Sequence, residues 1–383
     1  MEKRKFGRSG EEISLLGFGT MRLPVVKADS QEIDEIKAFE MFDHALAHGI
    51  NYFDTAYGYH DGQSEIVVGK ALARHPRESF FLADKMPSWL VQTESDTERI
   101  FHEQLKKCQV EYFDFYLAHN MTAGKIDRLE DLKIYEFLVK MRDAGKIRHL
   151  GFSFHDSPAV LAKCLKRFDW EFGQIQLNYI DWTEQDAQGQ YELLRDAGLS
   201  VSIMEPIRGG ALAAPALPEE VAKVFSDAAP ELSPIQWALY FAGAPENVYT
   251  VLSGMSSMDQ LRENIEFMSN FRTLTDTENA VIPDALLAWK MGSPIPCTGC
   301  RYCMPCPMGV DIPKSLSILN NYRRKKASWT FLQEMNMLDP SKLPHYCVGC
   351  RRCESVCPQK IEVSSHMEEM TEMLSTFEKP QWL

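Results

Sequence analysis

The chain has 383 residues, 45% of them hydrophobic and 25% charged. That is enough for a sizeable soluble core and too long for one average domain, although a single barrel reaches about 250 residues. The formal net charge is −13 and the longest basic run is Arg323-Arg324-Lys325-Lys326, so neither nucleic acid nor an anionic membrane is expected as a partner. No apolar run approaches the roughly 18 residues of a membrane span, and MEKRKFGRSGEE lacks the apolar segment of a signal peptide. A cytoplasmic protein is expected, in which clustered cysteines indicate metal rather than disulfides.

Through residue 255, short runs rich in β-branched and aromatic residues alternate with amphipathic segments. ISLLGFG (13–19) is followed by AFEMFDHALAHG (38–49), with Phe39, Phe42 and Leu46 on one helical face and Gly49 as its stop. NYFDTA (51–56) precedes EIVVGKALAR (65–74), and FFLADK (80–85) precedes ERIFHEQLKKC (98–108). FDFYLAH (113–119) precedes LKIYEFLVKMRDAG (132–145), again closed by glycine. IRHLGFSF (147–154), GQIQLNY (173–179), SVSIMEP (200–206) and VYTVLSG (248–254) complete eight strands. Eight such alternations predict an α/β fold, a parallel sheet closed into a (β/α)8 TIM barrel. No glycine-rich dinucleotide fingerprint follows the first strand, which argues against an open doubly wound sheet.

After Leu274 the pattern stops. TLTDTENAVIPDALLAWKMGSPIP reads as one last helix and a link, and eight of the chain's ten cysteines follow from Cys297 onward. The second cluster is Cys347-x2-Cys350-x2-Cys353-x3-Cys357-Pro358, the bacterial ferredoxin spacing, in which the fourth cysteine serves the other cluster. The first is Cys297-x2-Cys300-x2-Cys303-x2-Cys306-Pro307, one residue shorter before its last cysteine. Exchange of the fourth ligands predicts two [4Fe-4S] clusters, one on Cys297, Cys300, Cys303 and Cys357, the other on Cys347, Cys350, Cys353 and Cys306. Structural zinc is the competing reading, but zinc ribbons use cysteine pairs rather than triplets with a fourth before proline. IPKSLSILNNYRRKKASWTFLQEM, between the motifs, is helical in pattern. The expected domains are a barrel over 1–288 and a small, mainly helical, ferredoxin-like iron–sulfur domain over 289–383. Cys108 and Cys164 read as ordinary packed or surface residues.

In a barrel of this kind the chemistry sits at the carboxyl ends of the strands. There the sequence delivers Asp54, Tyr59 just beyond it, Lys85 and His119. A phenol titrating near about 10 is a poor donor at neutral pH. A neighbouring ammonium, held charged by a buried carboxylate, is expected to lower it, and the histidine to orient a carbonyl oxygen.

These residues resemble the aldo-keto reductase family over roughly 4–270. The likeness rests on GFGTMRLP (17–24), DTAYGY (54–59) with Glu65 and Gly69, ADK (83–85), YLAH (116–119), GFS (151–153), QLNY (176–179), EPIRGGAL (205–212) and LRENI (261–265). The resemblance implies the catalytic tetrad Asp54, Tyr59, Lys85 and His119, with family spacing selecting Tyr59 over Tyr57, and NAD(P)H-dependent carbonyl reduction. It places the cofactor against Thr20, Met21, Asp54, Ser153, Gln176, Met204, Glu205, Pro206 and Arg208, and against Gly254, Ser256, Gln260, Glu263 and Asn264. Phe154 stands where the family has an asparagine, and Met204 where many members stack a tyrosine on the nicotinamide. Gly254 and Gln260 stand where some members have cations for a 2′-phosphate, leaving NADP(H) and NAD(H) both open.

The leading expectation is an oxidoreductase reducing an aldehyde, ketone or quinone, with an electron-transferring iron–sulfur domain. Hydride carries two electrons and each cluster passes one, and no signal for a flavin converter is visible. The alternatives are a ferredoxin-coupled oxidoreductase with a weakened nicotinamide site and a redox carrier. Arg323–Lys326 and Arg351-Arg352 read either as solvated surface or as a docking patch for an acidic ferredoxin or flavodoxin. Trp89 and Trp182 are candidate pocket walls.

Overall fold

The computed structural model describes residues 1–377 apart from Arg8, Ala28, Asp29, Pro215, Ser293 and Pro294. The first predicted run divides in two. β1 (Lys3–Lys5) and β2 (Glu12–Ser14) form an antiparallel hairpin, and only β3 (Leu16–Gly19) enters the sheet. β3 is joined by β4 (Tyr52–Asp54), β5 (Phe81–Met86), β6 (Phe113–Met121), β7 (Ile147–Phe154), β8 (Phe172–Gln176), β9 (Ser200–Met204) and β10 (Val248–Ser253). All eight pair in parallel and close, β10 against β3. The (β/α)8 barrel is therefore present.

The hairpin has a packing reason. Phe6, in its loop, is buried edge-on to Phe115 at 4.9 Å and Tyr249 at 5.0 Å, within an aromatic cluster that also holds Tyr52 and Phe172. The cluster fills the inside of the barrel with apolar side chains and leaves polar ones for the strands' carboxyl ends.

Helices α1 (Glu35–Ala47), α2 (Ser64–Leu72), α3 (Glu94–Cys108), α4 (Ala123–Asp131), α5 (Ile134–Asp143) and α6 (Pro158–Arg167) follow their strands. The segment read as one helix over 132–145 is preceded by α4, whose nine residues AGKIDRLED bury Ile126 and Leu129. α2 lies so close to α3 that a Cβ on Gly69 would fall 2.3 Å from the Lys107 carbonyl oxygen, so only glycine fits there. α7 (Asp181–Glu184) and α8 (Ala187–Asp196) follow β8.

By compactness the chain forms two units, Met1–Ile207 with Ile235–Thr275, and Arg208–Pro234 with Asp276–Leu383. The second unit is thus built from two separate stretches. α9 (Glu219–Ala228) comes from the first stretch. α10 (Pro234–Gly243) and α11 (Met258–Ser269) flank β10, and α12 (Asp276–Asn279) and α13 (Ile282–Gly292) open the second stretch. α13 packs on α9. Then come α14 (Ile312–Lys325), α15 (Ser328–Asn336), α16 (Arg352–Val356) and α17 (Val363–Thr376). The helical segment between the cysteine motifs breaks where Lys326 turns left-handed, at φ 52°. Leu316, Leu319, Phe331, Leu332, Met367 and Met370 form the small core of this unit.

Candidate functional site

β4 and β5 lie side by side with Asp54 opposite Ala83, which brings the next inward residue, Lys85, beside the carboxylate. Lys85 Nζ donates to Asp54 Oδ1 at 2.6 Å and to the Thr55 carbonyl at 2.7 Å, and both side chains are buried. A buried pair of this kind is stable only with its remaining positions satisfied. Gln174 Nε2 supplies one bond, to Asp54 Oδ2 at 3.2 Å.

Tyr59 reaches the same point from a short helical turn whose next two residues, His60 and Asp61, take φ of 50° and 52°. Lys85 Nζ donates to its hydroxyl at 3.4 Å, and its ring lies 6.3 Å from that of His119. Tyr57 points elsewhere: its hydroxyl bonds Glu103 at 3.3 Å and its ring receives the Lys107 ammonium at 4.1 Å. Asp54, Tyr59, Lys85 and His119 are therefore brought together, and Tyr57 is not among them.

The electrostatics differ from the sequence expectation. Burial first, then the Asp54 carboxylate, push the Tyr59 phenol well above its usual range. The Lys85 charge is engaged by Asp54 at shorter range, so the phenol stays fully protonated instead of approaching phenolate. Burial, reinforced by Lys85 and Lys125, drives His119 well below its usual value. A neutral imidazole and a neutral phenol therefore face the mouth.

Among the residues matched to a cofactor, Thr20 is buried, its hydroxyl bonded to the Asp54 carbonyl at 2.9 Å, with Met21 next in the same short turn. Ser153 Oγ accepts from the Asn120 amide at 2.7 Å, which steadies the residue after His119. Gln176 and Asn178 both donate to Asp181 Oδ2, at 2.7 and 2.6 Å. Phe154 is a buried core residue, 1% exposed, and offers no hydrogen bond. Met204 is half-buried at the end of β9, and Glu205 and Pro206 follow.

Arg22, which the sequence reading passed over, donates to Glu205 Oε1 at 2.9 Å, and its carbonyl accepts from Ser256 Oγ at 2.8 Å. Gln260 Oε1 accepts from the Ser256 amide at 2.8 Å, and Asn264 Nδ2 bonds Ser253 Oγ at 2.9 Å. A Cβ added at Gly254 would meet the Arg22 side chain at 3.4 Å, and Glu263 is half-buried on α11. Arg22, Glu205, Ser256 and Gln260 thus form one polar rim from the ends of β3, β9 and β10. Arg208 belongs to the second unit, where it is buried with its guanidinium 5.4 Å over the Trp289 ring. Gln174 was legible by period-two alternation from Gln176. Arg22 had no signal beyond lying inside GFGTMRLP.

Within the second unit, Cys297, Cys300, Cys303 and Cys357 line one small void, beside Leu316 and Ile361. Cys306, Cys347, Cys350 and Cys353 line another, beside Met308 and Met367. The eight cysteines sort into the two sets given by exchanged fourth ligands. Both motifs make the same left-handed turn, at Gly299 and Arg301 and again at Gly349 and Arg351. Burial first, then Cys300, Cys297 and Cys357, push the Cys303 thiol well up. Four converging thiols in an apolar wall suit a cationic iron–sulfur core that holds them as thiolates. Among the described residues no three Cys, His, Asp or Glu side chains are set to hold a single ion. Cys108 and Cys164 are buried in the barrel unit.

The aldo/keto reductase family model matches residues 15–286, and the 4Fe-4S dicluster domain model matches 296–368. An uncharacterized oxidoreductase of Bacillus subtilis, YqkF, is 28% identical over 73% of this chain and 94% of its own length. L-galactose dehydrogenase of Arabidopsis thaliana is 26% identical over 76% of this chain and 98% of its own. The solved aldo-keto reductase AKR11C1 of Bacillus halodurans superposes with a TM-score of 0.62 at 29% identity, covering 74% of this chain and 96% of that one. Among the described residues no helix is long and apolar enough to cross a membrane.

Proposed function

The chain belongs to the aldo/keto reductase family and carries a 4Fe-4S dicluster domain, and from that premise we propose that its barrel reduces an aldehyde, ketone or quinone with NADPH or NADH. The observation that supports this most is the convergence of Tyr59, Lys85, Asp54 and His119, with Lys85 Nζ 2.6 Å from Asp54 and 3.4 Å from the Tyr59 hydroxyl.

The cofactor supplies, when bound, a hydride with both of its electrons for the carbonyl carbon. Neutral His119 donates a hydrogen bond to the carbonyl oxygen and fixes its direction. Tyr59 gives its proton to that oxygen, so the carbonyl becomes an alcohol and the tyrosine a phenolate. Lys85 stands beside the nascent phenolate and offsets its charge. Asp54 holds Lys85 in place, and solvent restores the proton. Thr20, Ser153, Gln176 and the rim of Arg22, Glu205, Ser256 and Gln260 are the chain's groups for holding the cofactor.

The tail holds two [4Fe-4S] clusters in this reading, one on Cys297, Cys300, Cys303 and Cys357 and one on Cys306, Cys347, Cys350 and Cys353. Such clusters supply one-electron transfer. Cys350 is exposed, with Arg351 and Arg352 beside it, and an acidic ferredoxin or flavodoxin is the carrier whose charge suits that face.

A second reading has one specific observation in its favour. Phe154 gives no anchor for the nicotinamide carboxamide, which favours a weakened cofactor site and a reaction fed by the clusters through the carrier. One experiment separates the two: titration of anaerobically prepared protein with NADPH and NADH, followed by fluorescence quenching, then turnover with an aldehyde and quinone panel. Tight quenching with turnover supports the first reading; neither, in protein holding about eight irons per chain, supports the second.

A further inference from the structure

α4 leaves the mouth of the barrel directly after His119, and its sequence AGKIDRLED carries two cations one turn apart, Lys125 and Arg128. Arg128 is spent on the loop after β5: its Nε donates to the Ser88 carbonyl at 2.8 Å, and an Nη to that of Val91. These bonds fix the loop that carries Trp89. Trp89 then stands with its ring 5.0 Å from the His119 ring, and the Lys125 ammonium lies 4.9 Å from the centre of the same indole. Tyr59, His119, Trp89 and Lys125 form a continuous arc running from the proton donor outward.

Lys125 is anomalous among the lysines near the site. Lys85 pairs with Asp54, and Lys107 with Glu65 and Glu103. Among the described residues Lys125 forms no ion pair, and its hydrogen bond goes to a neutral acceptor, the Asn120 carbonyl at 2.8 Å. Burial alone lowers it to about 8. The charged or titratable groups around it are His119 on β6, His155 after β7, Arg128 on its own helix, and Asp156. His119 and His155 are pushed down by burial and by Lys125 itself. Asp156 uses its carboxylate on the Ala123 and Ser157 amides. A partly buried ammonium without a counter-ion costs stability, and that cost is recovered when an anion arrives.

We propose that Lys125 is a specificity-determining residue that binds the carboxylate of an oxo-acid substrate, with Trp89 flanking the path from that carboxylate to the carbonyl held by His119 and Tyr59. The assignment rests on the carbonyl-reductase reading of the mouth. It narrows the substrate class from carbonyl compounds in general to anionic ones. Two ammonium protons remain for the carboxylate once the Asn120 carbonyl has taken one.

The test compares pyruvate, acetoacetate and levulinate with their methyl esters. In the intact enzyme kcat/KM favours at least one acid over its ester, and Lys125→Met lowers that ratio about 10–100-fold, the worth of one charge-assisted hydrogen bond. Lys125→Arg restores part of it. The ratio also falls as pH rises through about 8, where the ammonium loses its proton. A ratio unchanged in Lys125→Met overturns the proposal. Binding is read independently of turnover by tryptophan fluorescence with NADP⁺ present and acetoacetate as the titrant. If neither acids nor esters are reduced, yet acetoacetate binds wild type and binds Lys125→Met about tenfold or more weaker, the reductase reading fails and the anion site stands. Equal binding by both proteins sinks the site whatever the turnover shows.

Discussion

The barrel mouth and the cysteine voids keep reactive groups inside protein by opposite means. At the mouth the innermost charge meets its complement within the chain: Lys85 lies between Asp54, the Thr55 carbonyl and Tyr59, inside a large apolar core. In the voids like groups face one another, and Cys303 is pushed up by burial and then by Cys300, Cys297 and Cys357. The lesson is one of dependence. The mouth's ion pair is complete within the chain, whereas the tail, with its small core, is expected on the proposed reading to draw part of its stability from clusters on its cysteines.

The sharpest way to break this comparison is to remove iron. Chelation under reducing conditions is expected to bleach the protein and melt the tail's helices, while the barrel keeps its ability to quench on NADPH; coupled loss of both would show that the mouth is not independent. Cys303→Ala is the milder form, with iron per chain falling by roughly half. Next in size, Tyr59→Phe is expected to lower kcat by about 10²–10⁴-fold and to leave iron content untouched. A fall in iron with that variant would tie the two regions together. Third, Gly209→Ala acts inside the second unit, where Gly209 has φ 65° and an added Cβ would sit 2.3 Å from the Thr298 carbonyl oxygen, next to Cys297. The expected cost is about 2 kcal/mol or more, seen as a lower melting temperature and faster iron loss.

The smallest effect concerns a second satisfied charge in the barrel. Burial pulls His149 down, but hydrogen bonds to Glu171 and Glu11 outweigh it and raise the imidazole above its usual value. Its contribution is fully present below about pH 6.5 and disappears as pH rises through the raised value. His149→Gln should therefore cost up to about 1 kcal/mol in urea unfolding at pH 6, and the difference should vanish at higher pH. A cost that persists at pH 9 would assign it to packing instead.

The strands were legible because each is a dense run of buried apolar residues, and the meeting of Asp54, Lys85 and His119 because they lie toward strand ends. The eight cysteines were legible from spacing. What escaped is instructive. The hairpin of β1 and β2 hid because Glu12–Ser14 merges with β3 in one apolar run. α4 hid because its nine residues bury little beyond Ile126 and Leu129, and Lys125 hid with it. Arg22 was missed because an arginine after a strand carries no meaning until Glu205 folds against it. The Tyr59 shift was misjudged because sequence shows that Lys85 is near, not that Asp54 is nearer.

The stretch Arg208–Pro234 belongs with the tail rather than with the strands it connects. α9 rests on α13, and the Arg324 guanidinium bonds the Ala216 carbonyl at 2.7 Å. A single cut near residue 288 would strip those partners from a loop still anchored at both ends to β9 and α10. Transplanting the second unit onto another barrel of the family is therefore expected to need both of its stretches, the terminal one and Arg208–Pro234, exchanged together.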